Sequence, residues 1–136
     1  MAKQSLETSI EINAPSTKVW RMFNDAAFTK QMGGEYVSDW KVGSSLSWKG
    51  INGNILTRGI ISKIEPEKLL QHSLFLNPES ESVIAVLTYE LHENDGVTSV
   101  KIKEEFTSPI TDQEYSDSIE GWSAALSATK ELAEKL

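Results

Sequence analysis

The segment from Thr111 to Leu136 has the pattern of one long amphipathic helix, which constrains the fold more than any other feature of the chain. Its first residues have the Thr-x-x-Glu form of a capping box, which marks a helix N-terminus. At 1.5 Å per residue such a helix is about 36 Å long, enough to cross several strands. It must bury its apolar stripe, and the remaining chain offers only a sheet for this. Apolar or small side chains recur at three- and four-residue steps along the stripe: Tyr115, Ile119, Trp122, Leu126, Thr129, Leu132, Ala133 and Leu136.

The N-terminal part of the chain indicates a strand followed by two short helices. Residues 5–12 (SLETSIEI) alternate apolar and polar side chains, as in a half-buried strand. Pro15 suits the first turn of a helix that ends near Asn24. Asp25 is placed to cap a second short helix, and Gly33-Gly34 is placed to end it.

From residue 35 onward the chain has the regularly spaced turn signals of a β-meander. Short turn signals such as Asn52-Gly53-Asn54 and Asn94-Asp95-Gly96 separate apolar or alternating runs. Connections this short favour antiparallel neighbours. The runs lie near residues 35–40, 44–49, 55–64, 69–76, 83–91 and 97–106.

This order of elements predicts an α+β fold. We expect a curved antiparallel β-sheet of six to seven strands that wraps around the long C-terminal helix, with two short helices after the first strand. Where a strongly curved sheet and the helix separate, a cavity forms between them. At this length, residues 1–136 are expected to form a single domain.

Several short motifs, in this order and at these spacings, resemble those of a known family. They are Ile12-Asn13-Ala14-Pro15 with Val19-Trp20, the segment 39–44 with Trp48, Ile64-Glu65-Pro66 before Leu69, Gly96-Val97-Thr98, Glu105-Phe106, and Gly121-Trp122 with Leu126. The chain is similar to the helix-grip fold of the START-like (SRPBCC) superfamily. It most resembles the branch named after the activator of the 90-kDa heat-shock protein ATPase.

The resemblance implies a fold and a range of functions rather than one activity. Members of the superfamily bind lipids, sterols, hormones or polyketides, some are cyclases or hydrolases, and one branch consists of co-chaperones. The chain departs from its relatives at Met32-Gly33-Gly34, where a tryptophan is usual, and at Gln71 and Ser73, where aromatic residues are common. The outline of its pocket is therefore expected to differ from theirs.

Composition and the lack of certain motifs exclude several function classes. The net charge is -7, from 13 basic and 20 acidic side chains, and the lysines are scattered, so no nucleic-acid partner is expected. The chain has no cysteine and no metal-binding spacing of histidines, and we expect neither a metal nor a cofactor. No segment has the pattern of a signal peptide or a membrane span, so we expect a cytoplasmic protein without a membrane partner.

The alternation of the strands places three polar residues on apolar sides. Arg58 alternates in step with Leu56, Ile60 and Ile64, His72 with Leu70 and Leu74, and Glu104 with Val100 and Ile102. If these sides face the helix, the cavity holds one basic group, one imidazole and one carboxylate among apolar walls, as ligand sites do. The predicted ligand-binding residues are these three together with three others: Arg58, His72, Glu104, Trp122, Leu126 and Trp48.

Each of these residues also has a purely structural interpretation. Arg58 and Glu104 can form a structural ion pair or lie solvated near an edge. His72 can be a simple hydrogen-bonded histidine, and tryptophans such as Trp48 are more often core than recognition platform. Trp122 is favoured for ligand contact because it lies in the middle of the helical stripe.

Three functions follow as hypotheses. The first is binding of a lipophilic small molecule in the cavity. The second, which rests on the resemblance alone, is a co-chaperone-like protein that binds the 90-kDa heat-shock chaperone and changes its ATPase turnover. The third is a cyclase- or hydrolase-like enzyme that uses His72 and Glu104 as an acid–base pair. The chain is expected to be a monomer or a homodimer, the latter through an edge strand at residues 5–12 or 35–40.

Overall fold

The computed structural model describes residues 3–136, which form a seven-stranded antiparallel sheet, four α-helices and one 3₁₀ turn. The strands are β1 (Lys3–Ile12), β2 (Gly34–Ser38), β3 (Ser45–Gly50), β4 (Ile55–Glu65), β5 (Leu69–Phe75), β6 (Val83–Asn94) and β7 (Val97–Ile110). The helices are α1 (Ser16–Val19), α2 (Arg21–Asn24), α3 (Ala26–Thr29) and α4 (Asp112–Glu134), and the 3₁₀ turn is Lys30–Met32. The predicted α+β helix-grip architecture is confirmed.

The sheet is a meander that closes back on its first strand. Its strand order is β1-β7-β6-β5-β4-β3-β2, and every neighbouring pair is antiparallel. Strands β2 to β7 follow one another because their connections are short. The edges are β1 and β2, which overlap the two segments predicted as edge strands.

The short helices lie where the sequence predicts them, with one extra break. The first predicted helix is divided at Trp20 into α1 and α2, and the second continues from α3 into the 3₁₀ turn. Asp25 caps α3 as expected, because its Oδ1 accepts from the backbone N–H of Ala27 at 3.0 Å. Gly33 ends the 3₁₀ turn with φ +104°, a conformation that glycine adopts without strain.

Helix α4 is fixed to the rest of the molecule mainly through its C-terminal half. Its buried residues are Leu126, Thr129 and Ala133, whereas Tyr115 and Ile119 are only half-buried. The helix packs along β1, and at its end the Glu134 carboxylate accepts the N–H of Asn13 at 2.8 Å. The N-terminal half thus leaves space between itself and the sheet. Leu136, predicted to lie on the buried stripe, is 46% exposed because α4 has already ended.

The core lies between the concave face of the sheet and the helices. Phe23 is almost fully buried and packs edge-on against Tyr89 at 5.0 Å between ring centroids. Helix α4 contributes Leu126 and Ala133 to the same cluster. The sheet contributes one face of each long strand: Ile12, Ile61, Leu70, Leu87, Tyr89, Leu91, Val100 and Ile102.

Strand β7 is longer than the pattern near residues 97–106 predicts. Its pairing with β1 extends to Lys3 opposite Ile110. Backbone hydrogen bonds continue the strand after the apolar alternation has ended at Phe106. Its last residues then lead directly to the Thr111 cap of α4.

Candidate functional site

A cavity lies between the sheet and the N-terminal half of α4, with a volume of ≈ 350 Å³. Aromatic and aliphatic side chains form most of its wall, among them Trp48, Leu87, Tyr89 and Trp122. Two of its lining residues, Thr57 and Gly121, are exposed, so the cavity opens to solvent beside them. A smaller cavity of ≈ 190 Å³ adjoins it and shares Tyr36, Trp48, Tyr89, Trp122 and Ala125.

Three neighbouring strands place His72, Leu87 and Glu104 side by side on one wall of the cavity. His72 of β5 pairs with Leu87 of β6, and Leu87 pairs with Glu104 of β7. Because adjacent strands lie about 4.8 Å apart, the Cα atoms of His72 and Glu104 are about 10 Å apart. An imidazole and a carboxyl group therefore flank one leucine in an apolar setting.

The His72 ring is held in a fixed orientation. Its Nδ1 lies 2.7 Å from the backbone oxygen of Ser73, and the ring stacks on Tyr89 with 5.7 Å between ring centroids. Its Nε2 is buried and has no hydrogen-bond partner among the described residues. Burial lowers the pKa of His72, against a smaller upward effect from the Ser73 hydrogen bond, so the ring is neutral at physiological pH.

Glu104 connects the sheet to α4. Its Oε1 accepts a hydrogen bond of 3.0 Å from the indole Nε1 of Trp122. The residue is only 8% exposed, and burial raises the pKa of its carboxyl group, although the Trp122 hydrogen bond acts in the opposite direction. The bond also fixes Trp122 against the cavity wall.

Two tyrosines complete the polar lining. A hydrogen bond joins the side chains of Tyr36 and Tyr89, and burial raises the pKa of both hydroxyl groups. The pKa of Tyr89 is raised further by Tyr36 and by the nearby carboxylate of Glu104. Both phenols are thus protonated at neutral pH.

The structure brings most of the predicted binding residues together. Trp48, His72, Glu104 and Trp122 line the larger cavity, and Leu126 lines the adjoining one. His72 and Glu104 do not form a direct acid–base pair, because Nε2 of His72 is not bonded to the carboxylate. Whether these residues bind a ligand stays a prediction.

Arg58 is not a lining residue of either cavity, because the phase of β4 differs from the expected one. The inward residues are Gly59 and Ile61, both buried, while Leu56 is 55% exposed. The register with β5 shifts between Ile61 and Lys63, which brings Ile64 back to the core side. The prediction of a regular alternation from Leu56 to Ile64, with Arg58 on the inward side, is therefore wrong.

Arg58 has a structural role on the opposite side of the strand. Its Nε donates to the backbone oxygen of Pro78 at 3.0 Å, and one of its terminal nitrogens donates to that of Ser80 at 3.1 Å. Its guanidinium carbon lies 4.4 Å from the centre of the Phe75 ring. These contacts hold the loop between β5 and β6, and they replace the proposed ion pair with Glu104.

Sequence reasoning did not single out Tyr36, Tyr89 and Ala125, which line the cavity, or Gly59, which lies against the Ser73 oxygen that holds His72. Tyr89 has a readable signal, because it alternates in step with the buried Leu87 and Leu91. The part played by Gly59 depends on close backbone approach between strands, which no periodicity reveals.

A second cleft of ≈ 370 Å³ lies at the surface, beside β2 and β3. Its charged residues pair with one another: Lys49 lies 3.3 Å from Glu35, and Lys30 lies 3.9 Å from the same carboxylate. None of the described side chains that line it has a buried nitrogen or oxygen atom without a partner. Although it is slightly larger, the pairing of its charged residues with one another makes it the weaker candidate.

Within the described chain, residues 3–136, no helix is long and apolar enough to cross a bilayer. Nor do these residues include three or more histidines and carboxylates grouped as a metal ion would require.

The fold and the cavity define a helix-grip protein, and the comparison with protein families agrees. The family model described as activator of Hsp90 ATPase homolog 1-like protein matches residues 13–134. The chain belongs to this family. No curated protein matches it.

Solved structures with the same fold come from several bacteria. The protein ChR145 of Cytophaga hutchinsonii is 28% identical, with a TM-score of 0.77 over 99% of this chain and 97% of its own. The Aha1 dimer of Colwellia psychrerythraea is 19% identical, with a TM-score of 0.75 over 97% of both chains. The protein MLL2253 of Mesorhizobium loti is 16% identical, with a TM-score of 0.79 over 97% of this chain and 98% of its own. The last two likenesses support the fold alone.

Proposed function

We propose that this protein binds a lipophilic small molecule in the cavity between the sheet and α4. The observation that supports this most strongly is an apolar, partly aromatic cavity of ≈ 350 Å³ with a small number of fixed polar groups. Its size and lining are those of small-molecule sites, which combine apolar walls with a few oriented polar atoms. The partly open side at Thr57 and Gly121 supplies an entrance.

Two adjacent alanines of α4 allow a matched test. Ala125 lines both cavities, whereas Ala124 is exposed to solvent. Native mass spectrometry is carried out on the protein after incubation with a lipid-soluble extract of its host. We expect a discrete added mass that is lost on denaturation. Ala125→Phe, which fills the cavity, should abolish this mass, and Ala124→Phe should retain it.

Two results would count against the proposal. One is an apo spectrum for the wild type across several extracts. The other is an added mass that is unchanged in Ala125→Phe, since a ligand that still binds when the cavity is filled must bind elsewhere.

A second candidate function is binding to the 90-kDa heat-shock chaperone. It is supported only by the description of the family to which the chain belongs. Under this proposal, excess protein changes the ATPase turnover of the chaperone. Ala125→Phe would have the same effect as the wild type, because a chaperone-binding surface does not need the cavity. Unchanged turnover with excess protein would contradict it.

A further inference from the structure

His72 Nδ1 carries the ring proton. The backbone oxygen of Ser73, 2.7 Å away, can only accept a hydrogen bond, so Nδ1 must donate it. In a neutral imidazole the other nitrogen, Nε2, then has a free lone pair and can only accept. The lowered pKa of His72 agrees with a neutral ring.

The backbone of β4 lies close to Ser73 of β5, whose oxygen holds the histidine ring. The N–H of Ile60 on β4 donates to the side-chain hydroxyl of Ser73 at 3.0 Å. Gly59 permits this arrangement, because a Cβ atom there would lie 1.8 Å from the Ser73 oxygen. The local backbone thus selects one tautomer of His72.

The remaining Nε2 atom is a buried acceptor on a side chain that lines the cavity. It is buried, His72 is only 6% exposed, and no described residue donates to it. Buried polar atoms without a partner are rare in native proteins because the lost hydration is not replaced. A donor that enters the cavity would satisfy this atom.

The other polar groups of the cavity favour the same kind of ligand. Glu104 also accepts, through a carboxylate that lies two strands from His72 on the same wall. A hydrogen bond between the tyrosine hydroxyl groups occupies the proton of one of them, and none of the described residues that line either cavity is a lysine or an arginine. An anionic head group would therefore meet acceptors without a compensating cation.

We propose that the cavity selects an uncharged lipophilic alcohol or phenol whose hydroxyl group donates a hydrogen bond to Nε2 of His72. This inference rests on the proposed function, since it specifies the chemistry of the ligand in the same cavity. The apolar walls hold the hydrocarbon part, and the fixed tautomer of His72 distinguishes a donor from an acceptor.

Calorimetric titration of the full chain with four related compounds tests the inference. The probes are 2-naphthol, its methyl ether, naphthalene and 2-naphthoate. At neutral pH the naphthol should bind about tenfold more tightly than the ether or naphthalene, since only it satisfies Nε2. The naphthoate anion should bind most weakly.

Two variants separate the role of His72 from general packing. His72→Phe removes the acceptor but keeps a ring of similar size, so the preference for naphthol over its ether should disappear. His92→Phe alters the other histidine, which is exposed on β6, and should preserve the preference.

A measurement on the wild type tests the inference even if His72→Phe does not fold. Nitrogen NMR of the wild type should show a protonated Nδ1 and an unprotonated Nε2 for His72. The Nε2 signal should move upfield with naphthol and not with the ether. Assignment uses His92→Phe.

The outcomes distinguish the two proposals. Equal affinity for naphthol, ether and naphthalene, or tightest binding of the naphthoate, overturns the inference and leaves ligand binding intact. Equal binding of naphthol and ether alone overturns the inference as well, because Nε2 then does not distinguish a donor from an acceptor. Failure of all four probes to bind, together with a clean apo spectrum in host extracts, overturns the proposed function as well.

Discussion

At the scale of single residues, the Glu104–Trp122 hydrogen bond couples a buried carboxylate to the helix that closes the cavity. Burial raises the pKa of Glu104 from its ordinary value of 4.5, so the folded state favours the protonated form. The protonated carboxyl group therefore contributes fully to stability below pH 4.5. This contribution is lost as the pH rises through the raised pKa of the folded state. At neutral pH the ionised side chain therefore costs folding free energy.

We expect Glu104→Gln to be more stable than the wild type at pH 7, since the amide keeps an acceptor for Trp122 without the buried charge. The gain should vanish when both proteins are compared below pH 4.5. Urea denaturation at several pH values measures it. The exposed carboxylates Glu114 and Glu134, whose pKa values are lowered by hydrogen bonds, cancel in this comparison. A gain that persists in acid would contradict the account.

Gly59 lies where two strands approach too closely for a side chain. We expect Gly59→Ala to lower the free energy of unfolding by about 1–3 kcal/mol, because the added methyl group meets the backbone of Ser73. The nitrogen spectrum of His72 should change as its Nδ1 bond is disturbed. Gly121→Ala is the matched control: its methyl group meets nothing within 4 Å and should stabilise α4 by up to about 1 kcal/mol. Equal effects of the two substitutions would refute the close approach.

Strand alternation predicts the inward position of His72 and Glu104, because both lie in uninterrupted parts of β5 and β7. It fails for Arg58 because β4 shifts register at Ile61, a long-range pairing effect that the local pattern does not encode. The orientation of the His72 ring depends on Gly59 and Ser73 together, two residues that sequence reasoning had no ground to connect.

At the scale of elements, α4 combines an anchored C-terminal half with an N-terminal half that roofs the cavity. Its start is fixed by the capping box, in which Thr111 Oγ1 accepts from the N–H of Glu114 at 3.1 Å and the Glu114 carboxylate accepts from Thr111 at 2.9 Å. Few buried contacts hold this half, so the cap matters more than at a packed helix end.

Thr111→Ala should lower the free energy of unfolding by about 1 kcal/mol, because the first turn loses its side-chain acceptor. Amide hydrogen exchange should show faster opening of the first turns of α4 and little change near Leu126. Ser127→Ala, on the exposed face of the same helix, serves as control and should stay within about 0.5 kcal/mol of the wild type. Uniform acceleration along the whole helix would contradict this division.

The elements were largely predictable because their signals are local. The capping box, the period of the α4 stripe, the Asp25 cap and the turn sequences each mark one boundary. The break at Trp20 and the extension of β7 to Ile110 could not be predicted, since they depend on packing and on pairing with β1.

At the scale of the whole molecule, a curved sheet and a helix meet closely at one end and separate at the other. Leu126, Thr129 and Ala133 close the contact, while His72, Glu104 and Trp122 surround the space that remains. The sequence implied that such a space would exist, but its volume and its unpartnered acceptor are properties of the assembled fold. The cavity between the sheet and α4 is thus the central element of the functional account.

The most direct test is to locate a bound ligand by intermolecular NOEs between 2-naphthol and the isotope-labelled full chain. We predict contacts from the naphthol ring to the Ala125 methyl group and to Leu87 and Trp122, with none to the adjacent Ala124. Contacts instead to Ile51 and Lys49 of the surface cleft, or none to Ala125 at saturating ligand, would contradict the assignment of this cavity as the binding site.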